Sequence, residues 1–140
     1  MYTHTAVEPR YDSKEERLSA AALVNFFGIT EEWGLTSKQQ MILLGNPPKS
    51  SFYRMREFAE GKSGRPVRLS RDTLERVSYL MGIYKALNIL LPSARRAAEW
   101  INRPNQAPQF GGRSALEVML NGRVTDLSDV RRYLDGERGH

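Results

Sequence analysis

"TSKQQMILLGNPPKSSFYRMREFAEGKSG", residues 36–64, decides how the chain is built. Two apolar helical runs flank a break that neither can cross. Met41, Ile42, Leu43 and Leu44 close a short helix that Thr36 or Ser37 can cap. Gly45 suits the position just past a helix end, and Pro47 and Pro48 cannot continue the helix. Ser50 or Ser51 then caps a second helix, with Phe52, Met55 and Phe58 or Ala59 facing inward. Short helix, tight turn and second helix are the layout of a helix-turn-helix, whose second helix enters the DNA major groove. Lys49, Ser50, Ser51, Tyr53, Arg54 and Arg56 are the outward candidates for DNA contact. The hydroxyls and Lys49 suit phosphate, and an arginine suits a guanine edge. A plain packing hairpin has the same outline.

Charge bears on that choice. The 140 residues carry a net charge of +5, and residues 47–71, with seven basic side chains against two acidic ones, hold as much. A concentrated basic stretch fits a polyanion such as operator DNA, while a basic linker kept soluble by its charge has the same composition. Residues 63–69 read as that linker, since Gly64, Arg65, Pro66 and Arg68 leave no room for periodicity.

Absent residue types narrow the chemistry. With no cysteine there are no disulfides, thiolate nucleophiles or sulfur-ligated zinc. The two histidines, His4 and His140, lie near the chain ends. No cofactor, metal or enzymatic activity is therefore expected; scattered carboxylates read as a solvated surface. No run approaches the roughly 18 uncharged apolar residues of a membrane span. The N-terminal "MYTHTAVEPRYDSKEER" lacks the apolar core of a signal peptide, so the cytoplasm is the expected compartment.

The remaining pattern is helical throughout, and the expected fold is all-α. Residues 1–12 read as a flexible tail and 13–62 as the helix-turn-helix domain. Leu18, Ala21, Ala22, Leu23, Phe26 and Phe27 make a helical stripe that Gly28 and Gly34 are expected to break. Residues 70–140 form a second, small helical domain. Its first helix runs from Ser70 to Leu91 with an apolar stripe of Leu74, Val77, Met81, Tyr84, Leu87 and Leu91, widened by Leu80, Ile83 and Leu90. Arg76 on that helix is either a surface charge with a snorkelling stem or a paired structural arginine. Pro92 ends the helix, and Ser93 opens the next, with Ala97, Trp100 and Ile101 inward. A long break rich in Asn, Pro and Gly follows. Ser114 and Glu117 then make a capping box, and a last helix begins near Thr125 or Asp126, buries Leu127, Val130 and Leu134, and stops at Gly136.

From about Leu69 onward the chain resembles the toxin-binding domain of Xre/MbcA/ParS-type antitoxins. "WINRPN", "FGGRSALEVMLNG" and "LSDVRRYLDGERG" carry the resemblance, through Trp100, Pro104, Asn105, Phe110, Gly111 and Gly112, with Arg76 matching an arginine of the preceding helix. Ala115 stands where such proteins often have proline. The first half resembles the Xre-like helix-turn-helix that accompanies this domain. The ending "VRRYLDGERG" looks most like antitoxins paired with RES-domain toxins, which degrade NAD. The resemblance implies an antitoxin of a type II toxin–antitoxin system that covers the active site of its toxin and represses its own operon. The rival reading is a stand-alone transcription regulator whose C-terminal half only dimerises. A homodimer is expected in either case, because such repressors read paired half-sites.

Within this frame the expected toxin contacts are Asn105 and Arg113 in the stiff loop and Arg131, Arg132, Tyr133, Asp135, Glu137 and Arg138 at the C-terminal end. Arginine and tyrosine commonly anchor interfaces. Asp135 and Glu137 can meet the groups with which an enzyme grips dinucleotide phosphates, and the arginines can meet acidic catalytic residues. Phe110 either plugs the bundle or joins the contact. "GERGH" has the composition of a frayed tail as well as of a contact segment.

Overall fold

The computed structural model describes residues 13–139; the tail expected over 1–12 and the two histidines lie outside the described residues. Seven helices follow in order among them: α1 Lys14–Glu32, α2 Ser37–Leu43, α3 Lys49–Ala59, α4 Arg71–Leu90, α5 Ala94–Asn102, α6 Ala115–Met119 and α7 Val124–Glu137. No strand forms among the described residues; a single isolated bridge joins Pro104 to Ser114.

Helix α4 is the central post. It packs against α1 on one side and α7 on another, while α3 leans on α1, and α5 and α7 both touch α6. One continuous apolar core runs through both halves, from Phe26 and Phe52 to Ile101, Phe110 and Leu134. Fully burying a Phe of this kind contributes about 1.5–3 kcal/mol over leaving it exposed. Of the expected α4 stripe, Val77 and Leu87 are buried but Met81 is exposed. The buried wedge keeps Leu80 and Ile83 from the widened face and adds Thr73 and Ala86. Two neighbours with separate footprints rotate the wedge away from the stripe that one neighbour would select.

Gly28 does not break the first helix, since α1 continues four residues beyond it. Glycine there costs about 1 kcal/mol relative to alanine, and beyond the helix's own backbone and the two chain neighbours no atom lies within 4 Å of where a Cβ would sit. The break comes at Gly34, at φ 72°. Helix α3 starts at Lys49 after Pro48, without a side-chain cap, so neither Ser50 nor Ser51 caps it. Proline's fixed φ supplies the turn that a capping serine would otherwise hold. The capping box of Ser114 and Glu117 forms as read, with reciprocal bonds of 3.1 Å. Helix α7 begins slightly earlier than read, at Val124, and runs past Gly136 to Glu137. The linker over 63–69 ends docked: Leu69 is buried and its N–H donates to the buried Ser19 Oγ at 3.0 Å.

Candidate functional site

Two surfaces gather the candidate side chains, one on α3 and one between the α5–α6 loop and α7. The first is built on a hydrogen-bond chain that joins three helices. The Thr30 hydroxyl of α1 donates to the Phe26 carbonyl at 2.9 Å and accepts from Gln40 Nε2 of α2 at 2.9 Å. Gln40 Oε1 accepts from Arg56 of α3 at 3.0 Å, and the same guanidinium bonds the Ser37 hydroxyl. Its Cζ lies 4.9 Å from the centroid of the Phe52 ring. Arg56 is therefore a bolt that sets the angle between α2 and α3, not an outward side chain. Lys49, Ser50, Tyr53 and Arg54 do stand exposed on α3, and Ser51 is half-buried. The turn itself needs Gly45: its φ is 90°, and a Cβ would lie 2.9 Å from Arg76 Nε.

Arg76 resolves as a paired structural arginine. Its side chain is 12% exposed, bonds Asp72 Oδ2 at 2.9 Å, and donates to the Gly122 carbonyl at 2.8 Å. It thus ties the turn of the helix-turn-helix to the α6–α7 corner.

The second surface rests on a loop closed on itself. Across its neck, Asn105 N–H donates to the Arg113 carbonyl at 3.0 Å and Gly112 N–H to the Asn105 carbonyl at 2.9 Å. Asn105 Oδ1 accepts from Ala107 N–H at 2.9 Å, and Arg113 Nε donates to the Phe110 carbonyl at 3.3 Å. Asn105 is half-buried and Arg113 exposed, so both serve the loop as well as lining it. Phe110 is buried and plugs the bundle. Tyr133 meets it edge-on at 5.0 Å and stacks on Trp100 at 6.4 Å and 17°. Tyr133 is accordingly half-buried and holds α7 to the loop; it is not a freely exposed side chain.

Between the loop and α7 lies an open groove of about 590 Å³ lined by Gln109, Asp129, Arg132, Tyr133, Gly136 and Glu137. Arg132 is 80% exposed, its nearest carboxylate Asp129 at 4.0 Å. The structure brings Arg132, Tyr133 and Glu137 together here and leaves the other expected residues elsewhere. Arg131 turns away: it lies on Gly82 of α4, where a Cβ would meet its guanidinium at 2.6 Å, and faces the Tyr79 ring. Asp135 is held between Arg131 at 3.8 Å and Arg138 at 3.7 Å, so its charge is already met. Gln109 was not foreseen; only the closed loop places it, and no local sequence signal marks that closure. Buried Asp126 anchors α7 at its start, accepting from Arg123 N–H and from the Arg123 guanidinium at 3.0 Å, which raises the pKa of Arg123.

Residues 10–82 match the family described as antitoxin Xre-like helix-turn-helix domain, and 86–139 match that described as antitoxin Xre/MbcA/ParS C-terminal toxin-binding domain. The chain is also 44% identical over 119 residues, 85% of each chain, to a protein of Sinorhizobium fredii described as "Uncharacterized protein y4oB". The two matches fall on the α1–α4 half with its bolted helix-turn-helix and on the α5–α7 half with its closed loop and groove. By that agreement the chain belongs to the Xre-like helix-turn-helix antitoxins that carry an Xre/MbcA/ParS toxin-binding domain.

Proposed function

We propose that the protein is the cytoplasmic antitoxin of a type II pair, that it neutralises a RES-type NAD-degrading toxin by covering its active site, and that as a homodimer it binds operator DNA to repress its own operon. The observation that carries the reading is the groove between the closed loop and α7 within the toxin-binding domain. Its walls are fixed by backbone bonds and by the Trp100–Tyr133–Phe110 cluster, so docking there orders little that is not already ordered. Exposed Glu137 and Asp129 offer carboxylates to a site built to grip phosphates, and Arg132 offers a guanidinium to catalytic carboxylates. Operator contact is assigned to Lys49, Ser50, Ser51, Tyr53 and Arg54, with Arg56 holding the helix that presents them.

Co-expression with the RES-domain toxin of the same operon tests this. The wild-type chain should preserve growth and cellular NAD, and Arg132→Glu combined with Glu137→Lys should lose both while the protein stays folded. A wild-type chain that leaves NAD falling would overturn the reading and leave a stand-alone regulator.

A further inference from the structure

Helix α1 has an outer face that the described residues leave uncovered. Along its midline lie Ala21 and Gly28, two turns apart and both exposed. Gly28 occupies a helix interior, where glycine is disfavoured, yet its backbone is ordinary and nothing within 4 Å forbids a side chain. Large apolar side chains stand beside this midline in solvent: Leu18 is 52% exposed and Val24 55%. The Leu18 flank opens into a mostly apolar groove of about 350 Å³ towards Met81 of α4. The charges are polarised as well, with exposed Lys14 and Arg17 at the start of the face and exposed Glu31 and Glu32 at its end.

These features fit one occupant. We propose that this face is the homodimer interface, formed by α1 pairing antiparallel with α1 of a second copy about a two-fold axis between Val24 and Asn25. In that register Ala21 lies against the second copy's Gly28, and the absent side chain lets the helix backbones approach closely, as small residues do in packed helix pairs. In an antiparallel pair like flanks meet. Val24 therefore meets its own copy on one flank and Asn25 does so on the other. The Val24 flank also brings Arg17 to the second copy's Glu31, twice by symmetry. A parallel pairing, in which unlike flanks meet, would bring the second copy's Lys14 towards Arg17 and its Glu32 towards Glu31, so the charge pattern selects the antiparallel one. The interface takes nothing from the exposed side of α3 or from the groove beside α7, so DNA and toxin surfaces stay free. The inference rests on the dimeric reading of the protein and names the surface that forms it.

Sedimentation equilibrium of the full chain tests it. The wild type should dimerise. Gly28→Gln, which improves helix propensity, should leave a monomer with an unchanged or higher melting temperature. Arg17→Glu should weaken the dimer about tenfold through two reversed pairs, and adding Glu31→Arg should restore it. A dimer that survives Gly28→Gln, or a double variant no tighter than Arg17→Glu alone, overturns the interface. A wild type that stays monomeric overturns it too, as does loss of toxin neutralisation in Gly28→Gln with no change in oligomeric state, which would give this face to the toxin. Growth rescue by the wild-type chain scores the antitoxin reading separately, so the two can fail independently.

Discussion

Arg54 and Arg56 are two residues apart on one basic helix, and they do opposite work. Arg54 is exposed, while Arg56 ends the buried chain through Gln40 to Thr30. Arg54→Ala should cost about 1–3 kcal/mol of operator binding and relax sequence preference, with the melting temperature unmoved. Arg56→Ala should instead cost about 1–3 kcal/mol of stability, since Gln40 and Ser37 lose their partner below the surface. A shift assay at several salt concentrations beside a thermal melt separates them; the reverse assignment of losses would refute both roles. The same distinction applies in α7. Tyr133→Phe keeps the ring contacts with Trp100 and Phe110 and should be nearly silent in the melt. Tyr133→Ala should cost about 3 kcal/mol or more, as large-to-small changes in packed aromatic sites do. Such a loss would show any toxin-binding defect of that variant to be indirect.

At the scale of the element, what was legible followed local rules. The Ser114–Glu117 capping box, the Leu127, Val130 and Leu134 stripe and the stop at Gly45 each depend on residues within two turns of one another. What was illegible depends on partners far along the chain. Arg131 rests on Gly82 and Arg56 reaches Ser37 and Gln40, so both looked like outward charge when read alone, and Arg76, open between a surface and a paired role, is decided only by its reach to Gly122. Gln109 enters the groove only because the loop closes. The α1–α4 contact offers a test of such a partner through pH. The Tyr84 phenol bonds Glu32 of α1, and that bond raises its pKa above the usual 10.0, with burial and the Glu32 charge acting the same way against Asn88. A pKa raised by folding gives stability that is full below about pH 10 and is lost as pH rises through the folded value. Tyr84→Phe should therefore be less stable than wild type at neutral pH, and the gap should close under alkaline conditions. A gap constant from neutral to alkaline pH would mean that the bond does not form.

Over the whole molecule, α4 belongs to both halves, and this sets what can be cut apart. The helix-turn-helix family match ends at 82 and the toxin-binding match begins at 86, both inside α4 at Arg71–Leu90. Val77 and Leu80 of that helix are 1% exposed in the intact core, and Arg76 spans from Gly45 to the α6–α7 corner. Residues 13–62 alone lack the helix on which α1 packs, so they should be unfolded. A fragment starting at Leu69 keeps α4 together with α5, α6 and α7, including the Trp100–Phe110–Tyr133 cluster and the groove beside it. That fragment should stay helical and bind the toxin. It should also melt well below the full chain, because Val77, which lies beside α1, forfeits about 1.5–3 kcal/mol of burial. It should not bind DNA, having lost α3. Calorimetric toxin affinity and a circular dichroism melt of the fragment decide the matter. A folded fragment with toxin affinity far below the full chain would place part of the neutralising surface on α1–α3, and full-chain stability in the fragment would mean that α4 needs no cover from α1.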